Sequence, residues 1–83
     1  MKNWYVYFLS SEKKRWYYVG STNRLTERIL EHNEGKVHST KSQRPLKLVY
    51  KILFMTEQEA RRCEQKVKKM RREKERIIRE IEN

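Results

Sequence analysis

Five side chains of this 83-residue chain have the chemistry to hold an anion and move protons around it: Tyr7, Tyr18, Arg28, His32 and Glu64. Arginine offers a planar fork of N–H donors that fits a phosphate. Tyrosine hydroxyls both donate and accept, and histidine titrates near neutrality. Together they suit grip and proton transfer at a phosphorus centre. Glu64 is an acid among Arg61, Arg62, Lys66, Lys68 and Lys69. The plainer reading pairs it with Lys68 one turn on, worth roughly a few tenths of a kcal/mol. The chemical reading makes it a carboxylate ligand for Mg²⁺, a hard cation that completes its shell with water and phosphate oxygens.

These residues need a scaffold to bring them together. Trp4 to Leu9 is a continuous aromatic and β-branched run and predicts a strand buried on both faces. Ser10 to Arg15 is a polar turn, and Trp16 to Val19 a second strand, so the two form an antiparallel hairpin carrying Tyr7 and Tyr18. Gly20 is expected to end that strand, where it permits a sharp turn or a close approach. Residues 21–35 then predict a helix, with Ser21, Thr22 or Asn23 as its cap, Leu25, Ile29 and Leu30 as its buried face, and Gly35 as its stop. Arg28 and His32 lie four apart on that helix and are expected at the rim of its apolar stripe. Either residue alone reads more simply as a surface neighbour packing its stem.

A polar, basic loop follows, in which Lys36, Thr40, Lys41 and Arg44 suit a nucleic-acid backbone or merely a solvated linker. Leu46 to Phe54 alternates as a third strand, with Leu48, Tyr50, Ile52 and Phe54 on one face. Thr56 and Glu59 form a capping box that opens the next helix at Glu57. Ala60, Cys63, Val67 and Met70 make its apolar stripe, and Ile77, Ile78 and Ile81 continue one near the end. No Pro or Gly intervenes, so the sequence permits one long helix from Glu57 or two with a bend near Lys69–Arg72; the bend is expected because a single helix would project beyond so small a sheet. The order ββαβα with a further terminal helix predicts one α+β domain over residues 1–83, a three-stranded antiparallel sheet flanked by helices.

Lys and Arg number 21 against 11 Asp and Glu, a formal charge of +10. That field favours a polyanion, nucleic acid before an anionic membrane surface, with Lys68 joining the loop cations as a contact. A single cysteine, Cys63, excludes an internal disulfide and suits a cytoplasmic location. His32, His38 and Cys63 lack the spacing of a zinc site. No run approaches the about 18 apolar residues of a membrane span. Trp4 and Trp16 read as packing residues before base-stacking ones.

The segments Tyr5–Tyr7, Tyr18–Gly20, Arg28, Glu31–Asn33 and Glu64 resemble, in order and spacing, the GIY-YIG nuclease domain. The likeness runs nearly end to end and is greatest to small stand-alone bacterial members related to the nuclease domain of the excision-repair machinery. Tyr5 stands where the first motif has its glycine, and Val6 and Val19 replace isoleucines. The resemblance implies a metal-dependent endonuclease acting on nucleic acid, DNA before RNA, with a place in DNA repair. By position it implies that Tyr7 and Tyr18 are the family tyrosines, Arg28 the arginine, His32 the histidine one turn later, and Glu64 the ligand of a single Mg²⁺ or Mn²⁺ ion.

A free phenol titrates at about pH 10, so Tyr7 is expected to act as base or relay, His32 as shuttle and Tyr18 as orienting donor. Two other readings stand beside this one. The chain could be a binding module that keeps the nuclease fold without turnover. Its last helix could also pair weakly with a second copy through Val67, Met70, Ile77 and Ile81, although Lys74 interrupts that seam.

Overall fold

The aromatic run at the start of the chain is the middle strand of the sheet, which explains why it is apolar on both sides. In the computed structural model, which describes residues 3–83, β1 (Trp4–Ser11) lies between β2 (Tyr17–Thr22) and β3 (Leu46–Phe54), antiparallel to both. Three helices complete the order ββαβαα: α1 (Leu25–Asn33), α2 (Glu57–Lys69) and α3 (Arg71–Glu82). This is the expected α+β architecture, with helices on both faces of the sheet. Among the described residues no helix is long and apolar enough to cross a membrane.

Alternation along β1 divides the core in two. Val6 and Phe8 face α2 and α3, packing with Val19, Ala60, Val67, Ile77 and Ile78. Tyr7 and Leu9 face the other way with Leu46, beneath Leu25 and Ile29 of α1. Tyr7 therefore enters the layer between sheet and α1, where the chemistry lies.

Several boundaries differ from expectation. β1 continues to Ser11, and β2 runs through Gly20 to Thr22 instead of ending at the glycine. The ladder continues because Gly20 pairs with Tyr7, and Ser21 and Thr22 pair with Val6 and Tyr5. Ser21, Thr22 and Asn23 consequently do not cap α1; its N-cap position is Arg24, whose N–H donates to Thr22 Oγ1 at 2.9 Å. In β3 a bulge lets Phe8 pair with Tyr50 and Leu9 with Leu48, skipping Val49. Val49, Tyr50, Ile52 and Phe54 then pack on the α2/α3 side, while Leu48 pairs with Leu9 on the opposite face. Strict alternation would group Leu48 with Tyr50.

The far end of α1 follows the glycine rule. Gly35 has φ +80°, its N–H donates to the His32 carbonyl, and Lys36 N–H donates to that of Glu31, a Schellman ending. Asn33 then fastens the helix end to β3: its amide donates to the Leu46 carbonyl at 2.9 Å and accepts from the Leu46 N–H at 2.8 Å. Thr56 caps α2 by accepting from Glu59 N–H at 3.2 Å. The expected bend falls at Met70, whose φ −100° and ψ 98° leave the helical region. It folds α3 back so that Val67, Ile77 and Ile78 are buried in the chain's own core, with Ile81 packed against it. The side chains on which helix pairing with a second copy was expected are thus engaged internally, Met70 excepted.

Candidate active site

Gly20 makes room for the central residue of the site. A Cβ at that position would lie 2.7 Å from Tyr7 Oη and 2.8 Å from Tyr7 Cζ. The Tyr7 ring can therefore lie across β2 only because its strand partner has no side chain. There its hydroxyl meets His32 Nε2 at 3.0 Å.

His32 departs most from expectation. It is fully buried instead of sitting at a rim, while Leu30, expected inside, is 57% exposed. The buried face of α1 is thus Leu25, Ile29 and His32, with Arg28 at its half-exposed edge. A buried imidazole needs both nitrogens satisfied. Tyr7 serves one; Thr40 Oγ1, 2.8 Å from Nδ1, serves the other. Thr40 is itself fully buried. This corrects its assignment as a backbone contact: it holds the histidine and is out of reach of a bound strand.

The neighbouring carbonyl favours one tautomer. With the Val37 carbonyl 3.4 Å away as an acceptor for its hydroxyl proton, Thr40 Oγ1 is placed to accept from His32. His32 Nδ1 then carries the proton, and bare Nε2 accepts from the Tyr7 hydroxyl. Electrostatics agree with a neutral pair. Burial, aided by the Arg28 charge and opposed by Glu31, pushes the His32 pKa down to about 4. Burial, aided by Tyr18 and Glu64 and opposed by Arg28, raises that of Tyr7.

A stability consequence follows from His32. An unfolded histidine takes its proton near pH 6.5 and the folded one near 4, so the unfolded state binds more protons between those values. Stability should fall as pH drops through that window, by roughly 3 kcal/mol from this residue. NMR titration of the ring protons checks the cause: the His32 imidazole should stay neutral through pH 5. A His32 titration near 6.5 would contradict the buried pair.

The remaining residues surround this pair. The Tyr18 ring lies 5.0 Å from that of His32 and 6.2 Å from that of Tyr7, centre to centre. Arg28 pairs through Nη1 with Glu31 at 2.9 Å, and Arg24 supports the same carboxylate at 3.4 Å. Glu64 approaches from α2. One oxygen accepts from the Ser21 hydroxyl on β2, and the other pairs with Lys68 Nζ at 2.7 Å. Lys68 Nζ stands 5.9 Å over the Tyr18 ring. Glu64 therefore faces the tyrosine patch, and the plain i,i+4 pair with Lys68 is present as well.

Ser21, Glu31 and the true role of Thr40 escape sequence reasoning. Ser21 reads locally as a cap residue, and its alternation with Gly20 on an extended β2 is the available signal. Among the loop cations, Lys36 pairs with Glu34 at 3.1 Å, whereas Lys41 and Arg44 form no ion pair among the described residues.

Among the described residues no group of three or more His, Cys, Asp or Glu side chains converges to hold a metal ion. The donors at hand are the Glu64 carboxylate and the Ser21 hydroxyl, both oxygen. That set fits Mg²⁺, which binds few protein ligands and keeps several waters.

The model of the GIY-YIG catalytic domain matches residues 3–76. This chain belongs to the GIY-YIG family. Its relatives include the UPF0213 protein YazA of Bacillus subtilis strain 168, 37% identical over 76 residues, 90% of this chain and 76% of that protein. A UPF0213 protein of Staphylococcus haemolyticus is 38% identical over 74 residues, 88% of this chain and 89% of that one. The solution NMR structure of the UPF0213 protein BH0048 from Bacillus halodurans superposes with a TM-score of 0.58 at 36% identity, covering 92% of this chain and 82% of that one. Tyr7, Tyr18, Arg28, His32 and Glu64 all lie within the matched residues. Membership in this nuclease family supports a hydrolase of nucleic acid.

Proposed function

We propose that the protein is a metal-dependent endonuclease that hydrolyses phosphodiester bonds, in DNA before RNA, at the patch formed by Tyr7, Tyr18, Arg28, His32 and Glu64. The observation that carries this reading is the Tyr7–His32–Thr40 chain, a buried proton path that a pure binding surface has no use for.

The energetics select how Tyr7 works. Ionising an ordinary phenol at pH 7 already costs about 4 kcal/mol, and burial makes Tyr7 worse. A free tyrosinate base is therefore disfavoured. In a relay, the attacking water gives its proton to Tyr7 Oη as the phenolic proton moves to His32 Nε2. Tyr7 ends neutral and His32 ends as imidazolium, with Thr40 accepting from its Nδ1–H throughout. Arriving phosphate offsets the Arg28 charge that helps hold the His32 pKa down, which makes the imidazole a better acceptor. Arg28 uses one nitrogen on Glu31 and keeps other N–H groups for the non-bridging oxygens. Tyr18 orients the water or ester from its place against both rings. A Mg²⁺ or Mn²⁺ ion on Glu64 would supply charge neutralisation at the leaving oxygen.

One observation favours the binding-module reading: Lys68 already neutralises Glu64. The discriminating experiment incubates labelled plasmid, single-stranded DNA and RNA with protein in Mg²⁺, Mn²⁺ or EDTA. Cleavage that needs metal and falls on the order of a hundredfold in Arg28→Ala supports the enzyme. Binding without cleavage in any metal establishes the module. Cleavage untouched by Arg28→Ala assigns the activity elsewhere.

A further inference from the structure

We infer that an open groove of about 880 Å³ beside the active face is a second nucleic-acid subsite, which grips backbone phosphates beyond the one that reacts. The inference rests on the nuclease reading for its substrate class.

Lys13, His38, Lys41, Ser42 and Arg44 line the groove. Elsewhere Arg15, Arg24, Lys36, Arg61, Arg71 and Arg76 are matched to carboxylates, while Arg72 and Arg79 on α3 form no ion pair among the described residues and supply a control for unpaired charge outside the groove. Among the described residues, Lys13, Lys41 and Arg44 form none. Three unpaired cations, an imidazole and a hydroxyl around one concavity are a set for phosphate oxygens. The volume exceeds what one phosphate fills and suits a short run of backbone.

The walls are built, not incidental. Arg44 Nε donates to the Lys41 carbonyl at 2.9 Å, which orders the guanidinium. Gly35 leaves the space it occupies, since a Cβ there would lie 2.8 Å from Arg44 Nη1. The opposite wall is tied on by Glu12 N–H donating to the Pro45 carbonyl at 3.0 Å and by Lys13 N–H donating to Ser11 Oγ at 3.1 Å.

The groove shares its loop and α1 with the site. Its loop turns Thr40 inward onto His32 while Lys41 and Ser42, next in sequence, line the groove. Asn33, at the groove's edge, lies five residues along α1 from Arg28, roughly 8 Å at the helical rise.

The test measures binding of a labelled 20-base-pair duplex in EDTA across salt concentrations. It compares wild type, Lys13→Glu with Lys41→Glu, and Arg72→Glu with Arg79→Glu. The last pair sits on exposed α3 positions and makes the same change in charge. Thermal melting confirms that all three chains fold. The groove pair should weaken binding tenfold or more and reduce the slope of log K against log salt by about two, near 0.9 for each lost phosphate contact. The α3 pair should change either quantity much less. Equal losses in both pairs, or none in the groove pair, overturn the inference. If wild type cuts no substrate yet the groove pair still binds selectively worse, the subsite stands and the nuclease reading is what fails.

Discussion

Gly20→Ala is expected to lower the cleavage rate by about a hundredfold or more, the lower range for losing a positioned acid–base group. The added methyl would meet Tyr7 Oη at 2.7 Å, Tyr7 Cζ at 2.8 Å and Tyr18 Cε2 at 3.0 Å. Tyr7 is 1% exposed, so it has no open space into which to move. His32 cannot follow it, because Thr40 holds the other side of the imidazole. The phenol–imidazole bond should therefore break, with an overpacking cost of about 1–3 kcal/mol in stability. Tyr7→Phe removes the same bond without the clash and should reach a similar rate. The double variant should then lose little beyond Tyr7→Phe, since both changes break one contact. Single-turnover rates on labelled DNA, with urea unfolding to separate stability, decide the matter. Full activity in either single variant would remove the Tyr7 hydroxyl from the proton path.

Glu64→Gln is expected to abolish cleavage, by on the order of a thousandfold, while leaving nucleic-acid binding intact or slightly tighter. The amide keeps an acceptor for the Ser21 hydroxyl, so the local contact survives. The lost ion pair with Lys68 is half-exposed and contributes little to stability. Removing one negative charge also frees Lys68 for phosphate. Loss of cleavage with retained binding would then reflect lost chemistry, not lost docking. Cleavage and gel-shift assays on the same preparation give both quantities. A glutamine variant that cuts at the wild-type rate would exclude the carboxylate from the reaction, and with it the assignment of Glu64 as metal ligand.

Both variants act on residues visible in the sequence, yet for one of them the reason was not. Strands, helices, the Thr56 capping box and the Gly35 stop were legible because each is a local matter of periodicity, end chemistry or backbone preference, whereas the bend at Met70 has no Pro or Gly to mark it and follows from the small size of the sheet. The five candidate residues are picked out by type and order, through the resemblance they carry. Local patterns register which face of an element a residue takes, and do so poorly where a bulge such as that at Val49 shifts the alternation.

Depth and partnership were decided in three dimensions. An imidazole on an apolar face is stable there only if both nitrogens find partners, because an unmatched buried polar group costs several kcal/mol, roughly. For His32 those partners come from 25 residues before it and 8 after it, in a strand and a loop whose meeting no helical periodicity encodes. Gly20 likewise reads as a strand end because its significance is a side chain on the neighbouring strand. The sequence by itself determined the elements and the chemical groups they carry. The tertiary structure decided that Tyr7, His32 and Thr40 form one buried path, since only long-range packing can remove water from all three while leaving each hydrogen bond made.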